Sequence, residues 1–216
     1  MRTVSGMSKK IPLINTGKRI LIICEGSEEE DYFERLKECS VLSRDISVKV
    51  LNAKSIDAII AHYQYHYQNG NYALIVVFCD TEKEPYTQFL SLRNSIDEFH
   101  GNKSAKKVVY YANPCTMQII LSHFGEIKLK NNSKTANSAI IHRLTGVEDY
   151  KATEKQRSAI MKKITAENYR TMKDNISQLS TRYDCVPSTN CKMLFDGLDG
   201  ASATWIRECN KEIEKE

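Results

Sequence analysis

The sequence predicts an α/β protein: a parallel sheet in the first half of the chain, followed by a mostly helical second half. Three observations support this. Short β-branched apolar runs alternate with helical patterns up to residue 124, two of these runs are apolar at nearly every position, and strand patterns almost disappear after residue 153. Strict alternation of strand and helix favours parallel strands joined by helical crossovers.

The two fully apolar runs, Ile20–Cys24 and Ala73–Cys79, are typical of central strands that helices cover on both faces. The runs at 46–51 and 108–111 are shorter, and we interpret them as further strands of the same sheet. The predicted elements of the first half are, in chain order, strand 20–24, helix 28–39, strand 46–51, helix 55–68, strand 73–79, helix 85–99, strand 108–111 and helix 114–124.

Several helix starts carry capping signals. Ser27 with Glu30, and Thr153 with Gln156, have the spacing of a capping box, and Asn113 precedes a proline at the expected first helical position. In the second half we predict helices near 154–164, 166–181, 188–197 and 201–214. The predicted organisation is a flexible N-terminus (1–18), an α/β core (19–125) and a helical C-terminal region packed on that core (126–216).

The composition excludes several classes of protein. The 216 residues are 41% hydrophobic and 27% charged, with a mean hydropathy of -0.45, which is typical of a globular chain with one core. The apolar runs are too short to span a bilayer, and we recognise no signal peptide, so we expect a cytoplasmic protein without membrane contact. Seven cysteines without a CxxC pair indicate reduced thiols rather than a disulfide framework or a zinc site.

Carboxylates follow the two most apolar strands. Glu25 comes directly after the first strand, and Asp80 and Glu82 come after the strand at 73–79. Ligands of open parallel sheets bind at the carboxyl ends of the strands. If the two strands are neighbours, the three carboxylates converge and repel one another unless a cation lies between them. Hard oxygen ligands of this kind suit Mg²⁺ or Mn²⁺.

Structural explanations compete with some of these interpretations. The acidic residues 28–31 are explained by the dipole of the helix that they begin, and Asp80 alone resembles an ordinary turn residue. His62 and His66 have helical metal-pair spacing, but a half-exposed aromatic helix face is the simpler explanation. The sequence lacks GxGxxG, GxxxxGK[ST] and GxSxG motifs, which disfavours dinucleotide enzymes, P-loop NTPases and α/β-hydrolases.

Basic residues are concentrated in one part of the chain. Segment 128–173 holds eleven basic and four acidic residues, although the net charge of the whole chain is only +4. Such a surface suits a polyanion, and solvated helix faces are the alternative. The residues that we select as nucleic-acid contacts are Lys128, Lys130, Lys134, Arg143, Lys162 and Lys163.

Four blocks of sequence resemble the RloB-like family, whose members occur beside bacterial restriction and phage-defence genes. The first is an apolar strand ending in CEG, followed by Glu29, Tyr32 and Phe33. The others are FCDTE at 78–82, similar to the family's FDxDE, ANPCTMQIILSHF at 112–124, similar to SNPCFExWLLLHF, and VPSTNCKMLFDGL at 186–198, similar to a segment of the NPST type. The blocks occur in the family's order, and from the first to the last they span nearly the whole chain.

The resemblance implies a TOPRIM-like fold, in which a glutamate after the first strand and an acidic pair after a later strand handle magnesium and phosphate. These positions fall on Glu25 and on Asp80 with Glu82, the residues that strand position also selects. The family's FExW acid is absent, and Thr116–Gln118 occupy that stretch. Residues expected to support the site are Glu29, Asn113 and His123.

The leading hypothesis is therefore a Mg²⁺-dependent phosphodiesterase that cleaves RNA or DNA as an antiphage defence effector. By analogy with other TOPRIM-like effectors, RNA such as tRNA is slightly favoured over DNA. The alternative is a non-catalytic sensor or adaptor that binds nucleic acid or a phage protein with the same fold. A defence-system partner protein and self-association are both compatible with the sequence.

Overall fold

A computed structural model describes residues 18–200 and 202–214. The chain forms a five-stranded sheet in the order β2-β1-β3-β4-β5. The first four strands are parallel, and the short β5 is antiparallel to β4. The predicted α/β architecture with a mostly parallel sheet is thus confirmed.

The elements have the following bounds. The strands are β1 (Arg19–Cys24), β2 (Ser47–Asn52), β3 (Leu74–Asp80), β4 (Val109–Asn113) and β5 (Ser188–Thr189). The helices of the first half are α1 (Ser27–Glu38), α2 (Ile56–Gln68), α3 (Thr87–His100), α4 (Ala105–Val108) and α5 (Met117–Ser122). Those of the second half are α6 (Lys134–Thr145), α7 (Glu154–Met161), α8 (Ala166–Ser177), α9 (Cys191–Asp199) and α10 (Ser202–Ile213).

Burial follows the apolar pattern of the strands. Every residue of β1 except Arg19 is buried, as is every residue of β3 except Asp80, whereas β2 at the sheet edge is half exposed. This is the distribution expected when helices cover both faces of a sheet and only the outer strand meets water. Helix α1 packs an aromatic cluster onto β3, in which the ring of Phe33 lies 5.0 Å from that of Phe78.

The helical half packs on this core. Helix α7 contacts α1, α8 contacts α5, and α9 contacts both α8 and β4. Helix α10 crosses the amino ends of the strands, where Asn210 donates to the carbonyl of Ala73 and Lys106 pairs with Glu212. The carboxyl ends of β1 and β3 therefore lie at the end of the sheet opposite to α10. None of the helices within the described ranges has the length and apolar character needed to cross a bilayer.

Several local predictions are wrong. The N-cap of α1 is Gly26, and no side-chain cap is formed, so Ser27 does not act in a capping box. Asn113 does not cap a helix either, because a cis Asn113–Pro114 peptide follows β4 and α5 begins only at Met117. The box of Thr153 with Gln156 is confirmed.

Two elements were missed in the second half. Helix α6 was not predicted, and residues 188–189, assigned to a helix from sequence, form β5. Strand β5 is two residues long and depends on pairing with β4, a long-range contact that no local pattern reveals. The predicted flexible segment 1–18 lies outside the described residues except for Lys18. All seven cysteines are free thiols.

Candidate functional site

The strand order creates a crevice between β1 and β3. The chain leaves β1 for β2 on one side, and β3 then pairs with the opposite side of β1. This reversal is a topological switch point, and open α/β sheets bind ligands in the crevice outside the carboxyl ends of the strands there. Cys24 of β1 pairs directly with Phe78 of β3, so the condition on which the predicted cluster depended, that these strands are neighbours, is met.

The three predicted carboxylates surround this crevice. Glu25 follows β1 directly, Asp80 is the last residue of β3, and Glu82 lies two residues further on. All three side chains are half-buried. Glu82 has a φ of 61°, in the left-handed region that is uncommon for residues other than glycine. Its carboxylate accepts a hydrogen bond of 3.4 Å from the side-chain amide of Asn132.

Glu29 is a fourth carboxylate at the same edge. It lies in the first turn of α1 and is only 5% exposed, which the helix dipole alone does not require of an acidic residue. Gly26 makes room for it, since a Cβ at residue 26 would lie 2.9 Å from Oε2 of Glu29. Glu28, one residue earlier, accepts a hydrogen bond from the hydroxyl of Tyr150.

Thr116 connects the carboxylates to the end of β4. Its backbone N–H donates to Oδ1 of Asp80 at 2.7 Å, and its hydroxyl donates to the same oxygen at 2.8 Å. The hydroxyl also interacts with the carboxyl of Glu29. In the sequence, stretch 116–118 was noted only because the acidic residue of the family is absent there. Its position directly after a strand of the same sheet was a signal that it lies near the other strand ends.

The electrostatics of the cluster are unfavourable for carboxylates. Burial raises the pKa of Asp80 well above its usual range, and the charge of Glu29 raises it further, while the two bonds from Thr116 oppose the shift. Burial also raises the pKa of Glu25, with added contributions from the charges of Glu82 and Glu29. The pKa of Glu29 is raised as well, mainly by burial. All three shifts are toward higher pKa, as expected for carboxyls that are desolvated beside like charges.

The carboxylates of this edge lie outside the ion pairs of the described residues, although the charge of Glu28 does interact with that of Arg157. Within residues 18–200 and 202–214, neither Lys nor Arg forms an ion pair with Glu25, Glu28, Glu29, Asp80 or Glu82. The nearest pair on α1 joins Arg157 to Asp31 at 2.7 Å. A cluster of buried carboxylates without a counter-charge costs folding free energy, and a divalent cation would remove that cost.

The donors fit a hard divalent cation in chemical type and in charge. They do not form a closed ligand set: in the described part of the chain no three His, Cys, Asp or Glu side chains are arranged to hold a metal ion. Asp80 is fixed by Thr116, whereas among the described residues Glu25 has no hydrogen-bond partner and Glu82 has only its long bond to Asn132. The side chains free to adjust around a cation are therefore Glu25 and Glu82.

Two of the three expected supporting residues lie elsewhere. Asn113 donates to the carbonyls of Tyr183 and Cys185, so its amide holds a loop rather than a ligand of the site. His123 is 2% exposed and lies between the hydroxyl of Tyr32 and the side chain of Asn168, at 3.0 Å from each. Only Glu29 reaches the carboxylate cluster.

The selected basic residues are all exposed. Lys134, at the start of α6, lies with Glu82 along one groove. Lys128 lies 3.8 Å from Glu126 in an exposed ion pair. Arg143 is in the last turn of α6, and Lys162 and Lys163 follow α7. Of the six basic residues selected from the sequence, Lys134 is the one that lines a groove together with a carboxylate of the site, Glu82.

The role of Thr116 gives a testable prediction. Thr116→Val keeps the shape of the side chain but removes the hydroxyl donor to Asp80, whereas Thr116→Ser retains it. Loss of a group that orients a metal ligand commonly weakens metal binding by about 10- to 100-fold. We expect Thr116→Val to weaken Mg²⁺ binding by that factor in calorimetric titrations and Thr116→Ser to stay near wild type. Equal affinity in both variants would contradict this role.

Comparison with known proteins gives no match at any level. No protein-family model matches the chain, and no curated protein and no solved structure matches it.

Proposed function

We propose that the protein is a Mg²⁺-dependent phosphodiesterase that acts on nucleic acid at the crevice between β1 and β3. The observation that carries the proposal is the group of half-buried and buried carboxylates at this switch point, Glu25, Glu29, Asp80 and Glu82, none of which forms an ion pair with Lys or Arg in the described chain. Structural ion networks balance their charges, whereas sites that bind a cation leave the negative charge unbalanced until the ion is bound. The four-block resemblance to the RloB-like family supports the same chemistry.

In this proposal Asp80 and Glu82 hold the metal ion. A bound Mg²⁺ supplies charge neutralisation at the scissile phosphate and lowers the pKa of a bound water. Thr116 fixes the rotamer of Asp80 through its two hydrogen bonds, which leaves the second oxygen, Oδ2, available to a ligand. Glu82 follows Asp80 on a tight turn with left-handed backbone, which places its carboxyl at the same edge.

Glu25 has one of two roles. It either contributes a further oxygen to the metal ion or takes the proton from the attacking water, as a general base does. Its position favours both, because it is half-buried at the end of β1 and is not engaged by a basic side chain in the described ranges. Glu29 is buried behind Thr116, so it adds negative charge to the site without reaching solvent.

The substrate class follows from charge and from the resemblance. Segment 128–173 carries exposed basic residues, among them Lys134 and Arg143 on α6 and Lys162 and Lys163 after α7, and these suit phosphate contacts that do not depend on base sequence. RNA, and tRNA in particular, is favoured by the analogy with other TOPRIM-like effectors. The role in antiphage defence rests on the resemblance alone.

The test is incubation of the purified protein with labelled tRNA, single-stranded RNA and duplex DNA in Mg²⁺, Mn²⁺ or EDTA. We expect cleavage of at least one substrate with either metal ion and none in EDTA. Glu25→Ala and Asp80→Ala should both lose it. Binding without cleavage of any substrate would contradict the enzyme and favour the alternative, a sensor or adaptor.

A further inference from the structure

A shallow groove extends from the carboxylate edge. Its volume is about 630 Å³, and it lies between the start of α3, the turn after β3 and the start of α6. The residues that line it are Glu82, Lys83, Thr87, Gln88, Asn132 and Lys134. Apart from Glu82, all of these side chains are neutral or positively charged, so the groove combines one acidic side chain with two lysines.

The two lysines are not used by the fold. Lys83 and Lys134 are both exposed, and neither forms an ion pair or a side-chain hydrogen bond with another residue in the part of the chain that the structure describes. Some exposed lysines elsewhere are paired, as Lys37 is with Glu34 and Lys192 with Asp196. The ammonium groups in the groove are therefore free to bind an anion.

The backbone around the lysines favours the same kind of ligand. Helices α3 and α6 both begin in the groove, at Thr87 and Lys134, and neither has an acidic residue in its first turn. The partial positive charge of each helix start adds to that of the lysines. Asn132 ties the groove to the site, because its amide donates to Glu82 at 3.4 Å.

We infer that this groove binds the phosphodiester backbone of a polynucleotide strand next to the scissile phosphate, with Lys83 and Lys134 contacting a neighbouring phosphate. The position of the reacting phosphate at the carboxylate edge is taken from the proposed function, on which this inference rests. The added claim concerns the substrate: it carries at least two successive phosphates, and its strand leaves the site over the turn after β3. A ligand with a single phosphate reaches the carboxylate edge but not the lysines.

The experiment compares strand binding by three proteins, each carrying Asp80→Asn so that the probe stays intact. They are this background, the background with Lys83→Ala and Lys134→Ala, and a matched control with Lys103→Ala and Lys211→Ala, two exposed lysines at the amino ends of the strands. A fluorescent 20-nucleotide RNA is titrated with each protein by anisotropy, in Mg²⁺, across a range of KCl concentrations.

We expect the groove variant to raise Kd by about tenfold and to reduce the slope of log Kd against log salt by about 0.7, the value for one phosphate contact on a single strand. The control should stay within about twofold of the background. Equal effects of the two lysine pairs, no effect of the groove pair, or no binding of RNA by the background would each overturn the inference.

The failure of the inference and that of the proposed function are distinguishable. Groove-dependent binding, together with no metal-dependent cleavage by the wild-type chain, contradicts the enzyme and leaves the groove as a strand-binding surface. Metal-dependent cleavage, together with binding that ignores Lys83 and Lys134, contradicts the groove and leaves the enzyme.

Discussion

Asp80→Asn should lower the rate of metal-dependent cleavage by on the order of 10³-fold while the protein still folds. Asparagine retains an oxygen that accepts both hydrogen bonds from Thr116, so the local structure is kept. It removes the charge that holds the cation in the proposed site, and Lewis-acid assistance is worth several kcal/mol, with each 1.36 kcal/mol equal to tenfold in rate. Initial rates on labelled tRNA in Mg²⁺ measure the loss.

The same substitution should raise the thermal stability of the metal-free protein. Burial and the charge of Glu29 raise the pKa of Asp80, so the folded state disfavours its ionised form at neutral pH, and the neutral amide relieves this cost. Asp45→Asn is a matched control, because Asp45 is exposed and pairs with Lys18 at the amino end of β1.

For the rate prediction, a cleavage rate that Asp80→Asn leaves unchanged would show that this carboxylate takes no part in the mechanism.

His123 should make the protein sensitive to acid. Burial lowers the pKa of His123 to about 4, and the side chain is held between Tyr32 and Asn168. The amide of Asn168 accepts from the backbone N–H of Thr165, so its oxygen faces Nδ1 of His123, and the neutral ring accepts from Tyr32 through Nε2. Protonation of the ring would bury a charge and place a second donor against Tyr32.

The sign of the effect follows from proton binding. The His123 ring takes up a proton near pH 6.5 in the unfolded chain and only near pH 4 in the folded chain, so the contribution of His123 to the free energy of unfolding falls as pH drops through this window. The expected loss is on the order of 3 kcal/mol between pH 7 and pH 4. The carboxyls Glu25, Glu29 and Asp80 act in the opposite direction, because their raised pKa values favour the folded state when they are protonated.

A difference measurement isolates the histidine. His123→Gln leaves the carboxyls unchanged, so the free energy of unfolding of wild type minus that of the variant, from urea denaturation at each pH, should fall by about 3 kcal/mol from pH 7 to pH 4. The exposed His142→Gln serves as the control. A flat difference for His123→Gln would show that the ring is protonated at no cost in the fold.

The central sheet was predictable because its signal is local. The runs at 20–24 and 73–79 are apolar on both faces, and the alternation with helices specifies parallel crossovers, which the strand register confirms. Strand β5 and the loop after Asn113 were not predictable, since both depend on contacts between residues about 70 to 80 positions apart. Helix α6 was missed because its polar sequence has little apolar periodicity.

The candidate site was predictable only in part. The position of Glu25 and Asp80 at two strand ends indicated one edge of the sheet, and the structure places both there. Glu29 was expected both as a helix-dipole residue and, from the resemblance, as a support of the site, but its burial beside Gly26 and Thr116 was not predictable from the sequence. Lys83 and Asn132 were not selected because nothing in the sequence shows which loops meet beside Glu82.

The most direct test of the central claim is binding of Mg²⁺ itself, because it needs neither the substrate nor an activating partner. Calorimetric titration of the wild-type protein at pH 7.5, and its thermal melting with and without MgCl₂, should show one binding event and a higher Tm in Mg²⁺. Asp80→Asn should lose both, and Asp45→Asn should retain both. Absence of binding by the wild-type chain, or binding that Asp80→Asn leaves unchanged, would contradict the metal site at the carboxyl ends of β1 and β3.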